Sequence, residues 1–258
     1  MFKAKYILFA MLILCGGVAN IRPIAALAQS SSFSAHSVGF ALVELFTSQG
    51  CSSCPPADRV LEGIARSARA SDAPVYALSF HVDYWNHLGW RDPYAKKEFS
   101  DRQRRYGTVF GGETIYTPQM IVNGREEFVG SQAERAGRSI RSALETAPLL
   151  RISAQIDSSR PNELRCTYNI AGAWQGAVLN VALVQDMQAI SVSAGENSGR
   201  KLSHVNVVRS FVSVPIASAQ GQCVVPIPSD VALRRCSIVL YAQHGKTLNV
   251  LGATNHHW

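Results

Sequence analysis

Cys51 and Cys54 stand two serines apart, close enough to close a small disulfide ring or to act as a dithiol. Exchange chemistry belongs to the thiolate. A thiolate is favoured where a helix N-terminus offers free N–H groups and the positive end of its dipole. Cys51 is therefore expected as the exposed attacking group and Cys54 as the resolving one. The same pair has other uses. It can be an inert structural disulfide, or it can join the imidazole of His81 in a soft Cu(I) ligand set of Cys51, Cys54 and His81. A binding module without catalysis is a third reading. Ser52 and Ser53 offer only neutral donors to a thiolate, which predicts an intermediate reduction potential.

The flanking elements must bring these groups together. The nearly continuous apolar run 40–46 reads as a strand buried on both faces and ends just before the cysteines. Pro55 and Pro56 suit a first helical turn, and Val60, Leu61, Ile64, Ala65 and Ala68 continue at helical spacing. A second buried run, 75–80, leads into His81-Val82-Asp83-Tyr84-Trp85, at the same sheet end as Cys51. Trp85 is expected to line a substrate groove there. Asp92-Pro93 opens a polar helix. Gln119-Met120-Ile121-Val122 and residues 126–129 flank Asn123-Gly124, a strong hairpin signal. Ser131 and Glu134 resemble a capping box before a last helix.

Past Ala147-Pro148 the apolar period changes to two, with Ile152, Ala154 and Ile156, then Leu164, Cys166, Tyr168 and Ile170. More strands are expected around 178–184, 204–214, 237–242 and 248–251, and no helix. The division is therefore a signal peptide at 1–28, an α/β domain at 38–147 and an all-β sandwich at 148–258.

Lys3 and Lys5, a short apolar stretch and Ala26-Leu27-Ala28 compose that leader and predict a periplasmic or secreted protein with no membrane attachment after cleavage. The formal charge is +7, and losing Lys3, Lys5 and Arg22 leaves a mild balance with no claim on nucleic acid. No cofactor is expected. In an oxidising compartment disulfides persist. Cys223 and Cys236 can pair across a closed loop worth about 3 kcal/mol, with Cys166 competing for either partner.

Residues 43–54, with Thr117-Pro118-Gln119-Met120-Ile121-Val122-Asn123-Gly124 and Val129-Gly130, resemble the thioredoxin superfamily. More narrowly, Glu44-Leu45-Phe46-Thr47-Ser48-Gln49-Gly50-Cys51 through Asp58, and Ser79-Phe80-His81-Val82-Asp83-Tyr84-Trp85, resemble a secreted bacterial family catalogued as domain of unknown function 1223. The stretch Glu196-Asn197-Ser198-Gly199-Arg200…His204-Val205-Asn206-Val207-Val208-Arg209 resembles it too, without an assigned role. The wider resemblance implies a thioredoxin-like first domain and thiol–disulfide exchange with protein thiols, protein disulfides or a redox partner protein. It implies a cis Pro118 beside Cys51, with Thr117 and Pro118 holding an extended substrate. It also implies that Glu44 is a buried acid serving Cys54, the other reading of that residue being a carboxylate satisfied by a neighbouring Lys or Tyr.

Overall fold

Apolar runs bounded by turn residues become strands where the sequence places them. Residues 38–112 and 114–258 are described by this computed structural model, so the leader read over 1–28 lies outside the described residues. The chain runs β1 (Ala41–Thr47), α1 (Cys54–Ser71), β2 (Val75–His81), α2 (Lys97–Val109), β3 (Gln119–Val122), β4 (Glu126–Val129) and α3 (Ala133–Leu144). Then come β5 (Leu150–Asp157), β6 (Glu163–Gly172), β7 (Ala177–Ser191), β8 (Lys201–Pro215), β9 (Gln220–Pro226), β10 (Cys236–His244) and β11 (Val250–His257). Asn123 and Gly124 both carry positive φ, as a two-residue hairpin turn requires. The Asn123 side chain also ties that turn to β1, accepting from Leu42 N–H and donating to the Phe40 carbonyl.

The strands form an eight-stranded mixed sheet, β11-β10-β7-β8-β2-β1-β3-β4, and a three-stranded sheet, β5-β6-β9. This overturns the expected α/β thioredoxin-like domain followed by a separate sandwich. Strands from both halves share one sheet, joined where β8 lies parallel to β2 at Ser79 and Val207. The physical reason is two-sided burial. On β7, Leu179, Val181 and Leu183 face the small sheet, whereas Ala182 and Val184 face the aromatic layer. On β10, Ile238 and Leu240 pack one way and Val239 and Tyr241 the other. A sandwich strand with one wet face would alternate apolar and polar residues instead.

Three apolar layers follow. One lies between α1, α3 and the near face of β1, β2 and β3, with Val43, Leu45, Leu61, Ile64 and Met120. A second lies on the far face under α2, with Phe46, Phe80, Phe99 and Tyr106. The third fills the space between β7, β10 and the small sheet.

Candidate functional site

β1 ends at Thr47, and four residues later Cys51 opens the turn that leads into α1. Cys51 and Cys54 are joined in a disulfide, with Cα atoms 5.4 Å apart. Cys54 is the first residue of α1, and Pro55 and Pro56 occupy the turn where a missing N–H costs little. The expected exposure of Cys51 is not met. Both cysteines are 0% exposed, and only Ser52 and Ser53 face solvent between them.

Three segments converge on Cys51. The Thr117–Pro118 peptide bond is cis. Thr117 Oγ1 lies 3.5 Å from Cys51 Sγ as a donor and accepts from Trp85 Nε1 at 2.7 Å, which fixes where its proton points. Ser53 Oγ sits 3.3 Å from Cys51 Sγ. Trp85, Thr117 and Pro118 are thus assembled around the disulfide as the sequence reading grouped them. Gly130 makes room for this packing. A Cβ there would come within 2.7 Å of Leu45 Cδ1 and 3.0 Å of Ala57 Cβ.

The third segment comes from the other half of the chain. The turn at residues 192–200, between β7 and β8, lies across the cysteine turn. Asn197, 0% exposed, donates through Nδ2 to the carbonyls of Gln49 (2.9 Å) and Cys51 (2.8 Å). Arg200 donates to Asn197 Oδ1, and Glu196 Oε2 accepts the Ser52 N–H at 3.0 Å. That N–H hydrogen bond holds the exposed Glu196 carboxyl below its usual pKa. The sequence marks this stretch as familial, but nothing local says that it folds back over Cys51.

Glu44 does not serve Cys54. As an even-numbered residue of β1 it shares the far face with Leu42 and Phe46, away from α1. There it is tied to Arg102, Tyr106 and Tyr241. The buried acid on the cysteine side is Asp58, one helical turn past Cys54 on the same face of α1. Thr47 Oγ1 donates to Asp58 Oδ1 at 2.9 Å, and His204 Nδ1 stands 3.6 Å from Asp58 Oδ2, an ion-pair separation. The His204 ring meets the His81 ring edge-on at 4.6 Å, and His81 Nδ1 is 2.7 Å from Asp92 Oδ2. Asp92 also accepts from the Gln49 and Tyr94 N–H groups.

A row of acid, imidazole, imidazole and acid therefore starts on α1 one turn past Cys54 and runs through His204 and His81 to Asp92. His81 Nε2 and both His204 nitrogens are buried without a hydrogen-bond partner. Burial opposes the charged form of His204, yet Asp58 beside it and Asp92 beyond hold its pKa above the ordinary value. Burial likewise raises Asp92, but His81 and two N–H donors hold it below the carboxylate range. The copper set is not assembled. His81 is engaged by Asp92, and among the described residues no three His, Cys, Asp or Glu are grouped to hold a metal ion.

The raised His204 pKa has a consequence for stability. A group whose folded pKa exceeds its unfolded value stabilises fully below about pH 6.5 and loses that contribution as pH rises through the folded value. Urea midpoints measured across that window are expected to fall for the native chain as the pH rises. Asp58→Asn should flatten the decline, and superimposable profiles would refute the coupling.

Cys223 and Cys236 are not partners. Cys236 pairs in register with Gln185 in the large sheet, and Cys223 lies opposite Cys166 in the small one. Strand assignment, invisible to spacing, separates them.

Fold and site define a mixed-sheet protein with a C-x-x-C disulfide at a helix N-terminus, beneath a cis-proline turn. The chain belongs to the family described as "Protein of unknown function (DUF1223)", matched over residues 42–243. Among curated proteins none matches it. It is similar to the crystal structure of protein AGR_C_4864 from Agrobacterium tumefaciens, at 28% identity and TM-score 0.63, covering 84% of this chain and 93% of that one. A domain of the outer membrane lipoprotein Omp28 from Porphyromonas gingivalis aligns at 11% identity and TM-score 0.26, over 43% of this chain and 89% of that one. Among the described residues no helix is long and apolar enough to cross a membrane.

Proposed function

We propose that this protein carries out thiol–disulfide exchange through Cys51 and Cys54, with exported protein thiols as its substrates. The observation that supports this reading is the disulfide at the start of α1 with the Thr117 hydroxyl on Cys51 Sγ beside cis Pro118. A substrate thiolate attacks Cys51 Sγ, the Cys51–Cys54 bond breaks, and its electron pair leaves on Cys54 Sγ. The Asp58–His204 pair supplies the proton that neutralises Cys54. A second substrate thiolate then attacks the substrate sulfur of the mixed disulfide and frees Cys51. The substrate dithiol is oxidised to a disulfide and the protein disulfide is reduced. The leader at 1–28 belongs to the same reading, because oxidised substrates and disulfides persist outside the cytoplasm.

Trapping tests it. Cys54→Ser should accumulate a mixed disulfide through Cys51 with an unfolded model protein whose cysteines are capped as thionitrobenzoate disulfides, the Cys51 thiolate displacing thionitrobenzoate, whereas Cys51→Ser should trap none. Equal absence of adducts from both variants, with the wild-type disulfide inert in glutathione buffers, would remove the case for exchange.

A further inference from the structure

Cys166 and Cys223 are both free thiols in the core of the small sheet. Cys166 lies on the central strand β6 and Cys223 on the edge strand β9, directly opposite one another in antiparallel register. Directly opposed residues place their Cα atoms about 4.5–5.5 Å apart with both side chains on one face. A disulfide needs Cα atoms about 4.4–6.8 Å apart, so the backbone already has the required spacing. The pair is enclosed by Leu164 and Val225 on one side and by Tyr168, whose ring covers Gly221, on the other.

We propose that Cys166 and Cys223 form a second redox pair, which a small-molecule disulfide such as oxidised glutathione converts into a cross-strand disulfide. This does not depend on what Cys51 and Cys54 do. The roles within the pair differ. Cys223 is 7% exposed on an edge strand, whereas Cys166 is 0% exposed. The neighbouring Cys166 thiol holds the Cys223 pKa below its ordinary value against the opposing effect of burial. The Cys223 thiolate attacks one sulfur of the glutathione disulfide, forming a mixed disulfide and releasing one glutathione thiolate. Cys166 then loses its proton and attacks Cys223 Sγ, and the second glutathione leaves. Two protein thiols are oxidised, one glutathione disulfide is reduced to two thiols, and the two protons pass to the leaving groups.

Cys236 is the internal control. Burial pushes its thiol up to about 11, its Sγ donates to the Ala232 carbonyl, and its register partner in the large sheet is Gln185. The proposed bond would also close a covalent loop around residues 167–222. That loop contains the whole β7–β8 hairpin and the 192–200 turn that lies on Cys51. Oxidation of the small sheet would thus restrain the segment covering the first disulfide.

The full chain is incubated with oxidised glutathione, denatured, alkylated, digested and mapped by mass spectrometry. A Cys166–Cys223 linked peptide is expected, with Cys236 alkylated and Cys51–Cys54 intact. Cys166 and Cys223 alkylated to the same extent as Cys236 would overturn the proposal, as would a link from either to Cys236. Cys166→Val keeps an apolar core residue and should stall the reaction as a glutathione adduct on Cys223. An adduct absent there but present on Cys166 in Cys223→Val would overturn the assigned roles. Hydrogen exchange of the β6 and β9 amides gives a variant-free readout. It should slow on oxidation, and unchanged protection would count against the bond.

Discussion

Arg102→Ala is expected to destabilise the chain by about 3–5 kcal/mol, the usual cost of removing one partner from a buried ion pair. Arg102 is 6% exposed and Glu44 1%. Arg102 Nε donates to Glu44 Oε1 at 2.8 Å, and its Nη2 reaches Tyr106 Oη and Gln243 Oε1. Its guanidinium lies 5.1–5.7 Å from the ring centroids of Phe80, Tyr106, Phe211 and Tyr241. The rings come from β2, α2, β8 and β10, so one cation holds together strands from both halves of the sheet. Burial works against the charge of Arg102, but the Glu44 carboxylate more than offsets it and raises the Arg102 pKa. Truncation leaves Glu44 buried beside two phenols without its cation. The cost arises from that orphaned charge more than from the lost attraction. Arg102→Met with Glu44→Gln should therefore be more stable than Arg102→Met alone, by denaturant midpoint. If the double variant is no better than the single one, the penalty lies in packing and not in the uncompensated carboxylate.

The same network shows what the sequence could tell and what it could not. Local signals carried far. Proline after Cys54, helical spacing through Ala68, Asn123-Gly124 and the alternation from Ile152 to Ile170 each placed an element correctly. These depend on neighbours within a few residues. The single mixed sheet depends on β8 meeting β2 at one register pair more than a hundred residues away in sequence, and no local period encodes that. Glu44 illustrates the consequence. Its apolar strand marks it as a buried acid that needs a partner such as a tyrosine, but Tyr241 lies 197 residues on, so the identity of that partner could not be read. Asp58 stands one turn beyond Cys54, but its partner His204 lies on β8, and no local signal joins the two. The cysteines repeat the lesson. Proximity in sequence favoured Cys223 with Cys236, whereas register favours Cys166.

Asn197→Ala is expected to speed reduction of the Cys51–Cys54 disulfide by a soluble phosphine about five- to a hundredfold. Neither sulfur reaches solvent, so a reductant must wait for part of the surrounding shell to open. The 192–200 turn is the segment best placed to move. It sits at the tip of a long hairpin, and its hold on the cysteine turn rests on Asn197 Nδ2 and Glu196 Oε2. Asn197 satisfies two buried carbonyls at once. Removing it leaves the Gln49 oxygen without a donor and the Cys51 oxygen with the Cys54 N–H alone, a loss of about 1–3 kcal/mol from the closed state. Where opening and closing are fast relative to reaction, the rate follows the open population, and each 1.4 kcal/mol is about tenfold. Glu196→Gln keeps an acceptor for the Ser52 N–H and removes only a solvent-screened charge, so it should change the rate little. The measurement is a pseudo-first-order reduction rate under native conditions, with global stability followed in parallel. A faster rate without a matching fall in global stability identifies the turn as the cover. If Asn197→Ala lowers global stability yet leaves the rate unchanged, the disulfide is reached from the Trp85 and Thr117 side instead, and the hairpin tip is only a brace.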